Sequence, residues 1–437
     1  MSDEMTLLLN DFGPIIESKI DISKITVIGG ENATGKSTTS KILYCFLRAN
    51  SARRQEITYD RIIKLIKEKT DYLKRYLRNQ EGCNIDFNVL KRRLTKYDID
   101  AKNSNKSGLE VITEIFDEIK ERIGDESISS ESQNEVNETF EEIDNLIYIV
   151  EENDNPLYVS IMKKLLKEEF STDDFNGYFE ITGEYENSSF DFKIDFNNND
   201  LSSDEVFDSD GWFSVNDIYY IDSFSILDLD QDLGLNNSEH AKFLNDNLKK
   251  EADESADLFD DQLNEKIIRL LEEIEDIING KFVYENGELV YTPEKGGRCR
   301  MKNTASGVKQ IGIIQLLLNN RKLKENSFLI IDEPEVNLHP AWQVKFAGVL
   351  ALLVKNLNVS LYINSHSPIF IEALDAWAYY HDLSDYTKYY LSQSLEDKEG
   401  LNNIYEVKSD ELYRIYDNLG HPYEDIDEIR VNKQYGL

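Results

Sequence analysis

The sequence predicts an α/β protein: a mixed β-sheet core with an antiparallel β subdomain, interrupted by a helical insertion. Three observations predict it. Gly30-Glu-Asn-Ala-Thr-Gly-Lys-Ser37 is a glycine-rich phosphate loop set between a β-branched run and a helical face. From residue 303 onward, hydrophobic strands alternate with helical patterns, as in a parallel sheet. Between these two regions lie period-two segments and an Asn286-Gly287 hairpin signal, which call for antiparallel strands.

Residues 1–48 read as strand, glycine turn, strand, phosphate loop and helix. Ile25–Ile28 is the kind of β-branched run that fills a buried strand, and Thr38–Leu47 puts apolar residues at 42, 43, 46 and 47, one face of a helix. Residues 50 to about 170 read as mostly helical, with helix periodicity in Tyr59–Leu73 and Leu109–Lys120. Gly124–Asn137, rich in Ser, Glu and Asn, reads as a linker or exposed loop. Phe179–Thr182 and Phe190–Phe196 alternate as strands, Asn197–Asp210 reads as an acidic loop, and Asp217–Asp222 as a buried strand. Residues 238–279 are helical and acidic, and Phe282–Tyr291 is the hairpin. Phe328–Asp332 and Val359–Asn364 are hydrophobic strands flanking a helix over 341–356. The Tyr-rich stretch after 375 reads as helix and strand without recognisable chemistry, and there is no internal repeat.

With 437 residues and 40% hydrophobic content, the chain can build a core of two or three subdomains. No run approaches the roughly 20 apolar residues of a membrane span, and the N-terminus has no signal-peptide pattern. Cys45, Cys83 and Cys299 form no CxxC pair, which predicts a reducing, cytoplasmic setting. The net charge of −36 opposes non-specific nucleic-acid binding. The distribution is uneven: Arg48–Lys96 holds 14 Lys or Arg against six acids, net +8, leaving −44 for the rest. That segment is either a solvated helical face or a docking surface for nucleic acid or an acidic partner.

Four motifs carry chemistry. In the phosphate loop, backbone N–H groups and the helix N-terminus hold phosphates. Lys36 reaches the β- and γ-phosphates and Ser37 ligates Mg²⁺. Gly30, Asn32, Ala33, Thr34, Gly35 and Thr38 complete that nucleotide-binding set. Phe328–Glu333 ends a strand in two acids, where Asp332 joins the Mg²⁺ shell and Glu333 polarises the attacking water. His366, in Asn364-Ser-His-Ser367 after the next strand, is a structural histidine or a γ-phosphate contact. Asn303–Gln310 opens a helix with Ser306 and Gly307, a helix cap or a second anion site.

In this order the motifs resemble the ABC-type P-loop ATPase heads of the SMC, double-strand-break-repair and OLD-like families. Gly30–Ser37 resembles Walker A, Ser306-Gly307 the signature motif, Ile330–Pro340 Walker B with a D-loop at Val336–His339, and His366 the switch histidine. The wording Asp332-Glu-Pro-Glu335, Asn337-Leu-His-Pro340 and Asn364-Ser-His-Ser-Pro368 is similar to the AAA15-type branch, including ATPase subunits of anti-phage systems such as Septu and PARIS. The resemblance implies an ATP substrate with Mg²⁺, Glu333 and His366 as catalytic residues, and two heads sandwiching ATP. Ser306 and Gly307, helped by Lys309, then act in trans on the partner's nucleotide. The resemblance covers about 1–48 and 215–375; with the pattern along the chain, 1–48, 176–300 and 301–375 read as parts of the head, 49–175 as helical insertion and 376–437 as C-terminal extension. No Gln follows Asp222-Ser223 where a Q-loop is expected, and Phe12 is the candidate for contacting the base.

The insertion is too short for long SMC coiled coils, and only 71 residues follow His366, too few for an appended Toprim nuclease. The expectation is therefore an ATPase without nuclease activity of its own. It would be a homo-oligomer, at least a dimer of heads, that regulates or scaffolds a separate effector, nuclease or toxin, in anti-phage defence. The competing expectation is a DNA maintenance or repair ATPase that uses residues 48–96 on DNA. A nucleotide-gated scaffold without catalysis fits the filled catalytic positions less well, and a transporter ATPase subunit fits the insertion and the Asn337-Leu-His-Pro340 segment poorly.

Overall fold

The computed structural model describes residues 4–56, 155–172, 175–185, 188–197, 200–204, 215, 217–222, 238–249, 261–285, 288–300, 304, 306–395, 400–420 and 426. The predicted helices Tyr59–Leu73 and Leu109–Lys120, the loop Gly124–Asn137 and the basic segment beyond residue 56 lie outside them. The chain forms two compact units, one of Met1–Ser51 with Lys164–Leu437, the other Ala52–Lys163. In the second unit, 52–56 and 155–163 are helical.

The first unit is built on an eleven-stranded mixed sheet. β1 (Glu4–Phe12) and β2 (Ile15–Ile22) make a hairpin, and the chain breaks at Ser23-Lys24 so that β3 (Ile25–Gly30) starts afresh. Helix α1 (Lys36–Glu56) leaves the phosphate loop, and α2 (Asn155–Phe170) brings the chain back. β4 (Tyr178–Tyr185), β5 (Ser188–Asp195) and β6 (Asp200–Asp204) pair antiparallel and join the sheet through β1. β6 falls inside the stretch expected to be an acidic loop. Its Asp- and Ser-rich sequence has little strand propensity, and pairing with β5 overrides it. β7 (Ile218–Ile221) is fully buried, as its apolar run predicts.

Helices α3 (Glu239–Lys249) and α4 (Asp261–Ile278) precede a separate three-stranded sheet of β8 (Gly280–Glu285), β9 (Glu288–Pro293) and β10 (Cys299–Arg300). The β8–β9 register, Glu285 opposite Glu288, is that of the two-residue Asn-Gly hairpin. The chain continues through α5 (Ser306–Asn319), β11 (Phe328–Asp332), α6 (Pro340–Leu357), β12 (Ser360–Ser365), α7 (Pro368–Tyr380), β13 (Thr387–Ser394), β14 (Asn402–Val407) and α8 (Tyr413–Gly420). Strand order is β6-β5-β4-β1-β2-β14-β13-β3-β12-β11-β7. The last five, β13 to β7, are mutually parallel, so their C-terminal ends lie along one edge. β13 and β14, from the stretch after 375, sit between β2 and β3 in the middle of the sheet.

Period-two alternation gives this block two buried faces. Odd-numbered Val27, Tyr219, Leu329, Ile331, Leu361, Ile363, Tyr389 and Leu391 pack in one apolar cluster with helices α3 to α8. Even-numbered Tyr220, Tyr362 and Asn364 face α1, where Tyr44 meets the Tyr220 ring, Tyr362 donates to Thr39 and Asn364 donates to Ser40. Asp332 shares that even face and accepts from Ser40 at 2.9 Å. The side chains gathered along this edge are thus fixed by strand register. Among the described residues no helix is long and apolar enough to cross a membrane.

Candidate functional site

The loop between β3 and α1 is held by its own polar atoms. Thr34 Oγ1 donates to Glu31 O at 2.8 Å, and Ser392 Oγ of β13 donates to Thr34 O at 2.8 Å. Ala33 adopts φ 61° and Gly35 φ 92°, the left-handed turns that direct successive N–H groups inward. Gly30 is required by a close approach: a Cβ there would lie 2.3 Å from Ser392 O. Lys36 is buried inside the loop and donates to Gly30 O at 2.8 Å and to Glu31 O. Burial pushes its pKa down, and Glu333, Asp332, Glu335 and Glu31 oppose that shift. Glu31, Asn32, Ala33 and Ser37 are exposed at the mouth, and Thr38 is half-buried one residue on. No acidic residue lies in the first turn of α1, so the helix dipole is free to act on an anion.

Asp332 is the most constrained polar group at this edge. Its Oδ1 accepts from Ser40 at 2.9 Å and Asn364 Nδ2 at 2.6 Å, and its Oδ2 accepts from Tyr220 at 2.8 Å. The Ser37 hydroxyl lies close enough to help hold its carboxyl down. Burial pushes the Asp332 carboxyl up, and the bonds from Tyr220, Ser40 and Asn364, with the nearby Ser37 hydroxyl, pull it back. The structure therefore brings together Ser37 and Asp332, the two residues expected at Mg²⁺. These hard oxygen donors suit Mg²⁺, which takes one or two protein ligands and completes its shell with phosphate oxygens and water. Asn364 Oδ1 is buried beside them without a hydrogen-bond partner, a polar atom the protein alone leaves unsatisfied.

Glu333 sits in the left-handed region, φ 51°, with its N–H on Asn364 O at 2.9 Å. A non-glycine residue there stores strain that surrounding structure must impose, a pattern concentrated at functional sites. The bend throws its half-exposed carboxylate out of the sheet towards His366, whose Nδ1 is 3.8 Å from Glu333 Oε1. The rest of the motif is architecture: Asn337 turns at φ 61°, His339 caps α6 by accepting from Ala341 N–H, and Pro340 takes the first helical position. Ser306 and Gly307 form the first turn of α5, Lys309 lies half-buried in the same helix, and Gln310 ties the helix to Val336 O at 2.9 Å. Phe12 is not available to a base. Its ring is 2% exposed, packed among Phe170, Phe175, Phe179 and Phe196.

Two features escaped the sequence. One is Glu335, whose buried carboxylate meets His366. The other lies behind Asp332, where the Tyr220 ring packs 4.6 Å from His240. His240 Nδ1 is 2.5 Å from Glu169 and Nε2 is 3.2 Å from Asp222. Burial lowers the His240 pKa, but the bonds to Asp222 and Glu169 outweigh it and raise it to about 9. Since the folded value lies above the unfolded one, the stabilisation is complete below about pH 6.5 and is lost as pH rises through about 9. Allowing for the exposed Asp222, we expect a loss on the order of 2 kcal/mol in unfolding free energy between pH 6.5 and pH 10. Urea melts of the His240→Gln variant should lack this component; equal pH slopes in both proteins would refute it.

A family model described as AAA ATPase domain matches residues 5–371. Among curated protein sequences, none matches this chain. Solved structures similar to it include the SMC head domain from Thermotoga maritima, 13% identical, covering 93% of this chain and 100% of that one with a TM-score of 0.40. Another is an SmcHead bound to the C-winged helix domain of ScpA, 12% identical, 95% and 100% covered, TM-score 0.44. A third is an Smc head domain with an extended coiled coil, bound to the C-terminal domain of ScpA derived from Pyrococcus furiosus, 10% identical, 98% and 99% covered, TM-score 0.34. The match spans the phosphate loop, both strand-end acids and His366, and on it the chain belongs to the AAA ATPase domain family.

Proposed function

We propose that this chain hydrolyses ATP with Mg²⁺ between two copies of its head and uses the nucleotide state to regulate a separate effector, a nuclease or toxin, in anti-phage defence. The observation that carries the ATPase half is the shared edge of the adjacent parallel strands β3, β12 and β11: Asp332 ends β11, Glu333 and His366 directly follow β11 and β12, and Lys36 opens α1 after the loop that follows β3. Gly30, Asn32, Ala33, Thr34, Gly35 and Thr38 cradle the phosphates, and Lys36 neutralises the β- and γ-oxygens. Ser37 and Asp332 hold Mg²⁺, which offsets charge on the β- and γ-phosphates. Glu333 accepts a proton from the water that attacks the γ-phosphorus as the bond to the β–γ bridging oxygen breaks. His366 hydrogen-bonds the γ-phosphate. Ser306, Gly307 and Lys309 act on the nucleotide of the partner head, which makes the active site a property of the dimer.

The effector half rests on the resemblance to anti-phage ATPase subunits. The +8 segment at 48–96 supports a second reading, a DNA maintenance or repair ATPase. A pull-down from native context with Glu333→Gln, which traps ATP, separates the two. A co-purifying small nuclease or toxin is the expected result. Recovery of DNA without such a protein overturns the effector reading and favours the second.

A further inference from the structure

We propose that Glu335 is the positioning residue for His366: its buried carboxylate holds the imidazole by one nitrogen and leaves the other to face the nucleotide. The inference rests on the reading of His366 as a γ-phosphate contact. Two carboxylates lie near this ring, and they are unequal. Glu335 Oε1 is 3.1 Å from His366 Nδ1, whereas Glu333 Oε1 is 3.8 Å away. The same Glu335 oxygen accepts the His366 backbone N–H at 2.6 Å. One Glu335 oxygen thus hydrogen-bonds the backbone of His366, fixing the end of β12, and lies within ion-pair distance of the ring nitrogen, which has no hydrogen-bond partner of its own. The Glu335 side chain is 4% exposed, that of Glu333 42%.

A carboxylate is rarely buried without reason, because its desolvation must be offset by partners. Burial pushes the Glu335 carboxyl up, and His366 pulls it down. Its Oε2 has no hydrogen-bond partner, while Oε1 accepts the His366 backbone N–H. The turn also has hydrogen bonds that do not involve this side chain. Val336 N–H donates to Glu333 O at 3.1 Å and Leu338 N–H to Glu335 O at 2.9 Å, while Asn337, His339 and Pro340 shape the entry to α6. What the carboxylate adds is orientation. His366 is 37% exposed, and without an anchor its ring can turn about two side-chain torsions. With Nδ1 turned towards Glu335 at 3.1 Å, Nε2 is the nitrogen left for a phosphate oxygen. A catalytic group misdirected by about 1 Å can lose on the order of 100-fold in rate.

The test compares full-length wild type, Glu335→Gln, Glu335→Ala, His366→Ala and the Glu335→Ala/His366→Ala double variant. It measures steady-state ATP turnover and, separately, ATP affinity by equilibrium titration. Both Glu335 variants are expected to lower kcat on the order of 10- to 100-fold with ATP affinity within about threefold of wild type. The double variant is expected to be no slower than His366→Ala alone, because a residue that acts through another adds nothing once that other is gone. Glu335→Gln keeps the size and an oxygen for the His366 N–H, and it carries the test if Glu335→Ala does not fold. Wild-type kcat in Glu335→Gln and Glu335→Ala overturns the proposal, and so do losses that multiply in the double variant. His366→Ala turning over at the wild-type rate overturns instead the reading of His366 on which the proposal stands.

Discussion

Replacing Glu333 by Gln is expected to lower ATP turnover by about 10²- to 10⁴-fold, the usual range for a removed general base, while ATP affinity stays within a few-fold of wild type. Gln keeps the shape and the polarity but not the proton affinity, so it separates binding from chemistry. The backbone that aims this side chain does not depend on it. The left-handed turn at φ 51° is held by the Glu333 N–H on Asn364 O at 2.9 Å. The side chain is 42% exposed, so the substitution should shift stability by no more than about 0.5 kcal/mol. Phosphate release and equilibrium ATP titration on one preparation check both halves. Turnover at the wild-type rate would remove Glu333 as the base and direct attention to Glu335, the other carboxylate beside His366. Loss of affinity together with turnover would mean that Glu333 contributes to the ground state through its field at Lys36.

The parts of this site that could be read in the sequence are those encoded within a few residues. Gly30–Ser37 carries its glycines, lysine and serine in one strand–turn–helix, and the turn demands them, as the Gly30 approach to Ser392 shows. Asp332 is legible because acids ending a buried strand, common in themselves, follow a phosphate loop at Gly30–Ser37 in the same chain. The unreadable parts depend on which residues meet across the fold. Tyr220 looks like any aromatic in a buried strand until strand order puts β7 beside β11 and parity turns its hydroxyl to Asp332. His240 and Glu169 are 71 residues apart, and nothing local announces that they share a proton-binding cluster. Glu335 is visible as a letter in a motif but not as a partner, since its contact to His366 needs the β11–β12 pairing. β13 and β14 show the same limit at the scale of topology. Their alternation is ordinary, and only long-range pairing inserts them between β2 and β3.

Replacing Lys36 by Ala should act at the other half of the reaction. We expect ATP affinity to fall on the order of 100-fold, near 3 kcal/mol by the tenfold-per-1.4 rule, because a charge-assisted contact to two phosphates is lost. The fold should survive. Two effects on stability oppose each other: a buried ammonium, whose pKa burial pushes down, no longer has to be desolvated. Against this, the carbonyls of Gly30 and Glu31 lose a donor. The net change should stay within about 1 kcal/mol in a urea melt. The loop keeps its shape through Thr34 and Ser392, whose bonds at 2.8 Å do not involve Lys36. Affinity within threefold of wild type would remove Gly30–Ser37 as the nucleotide site. Unfolding would show instead that the ammonium is part of the loop's own hydrogen-bonding. The contrast with Glu333→Gln is the informative quantity: one variant should bind without turning over, the other should fail to bind. Any dependence of partner capture on ATP must then persist in the first and vanish in the second.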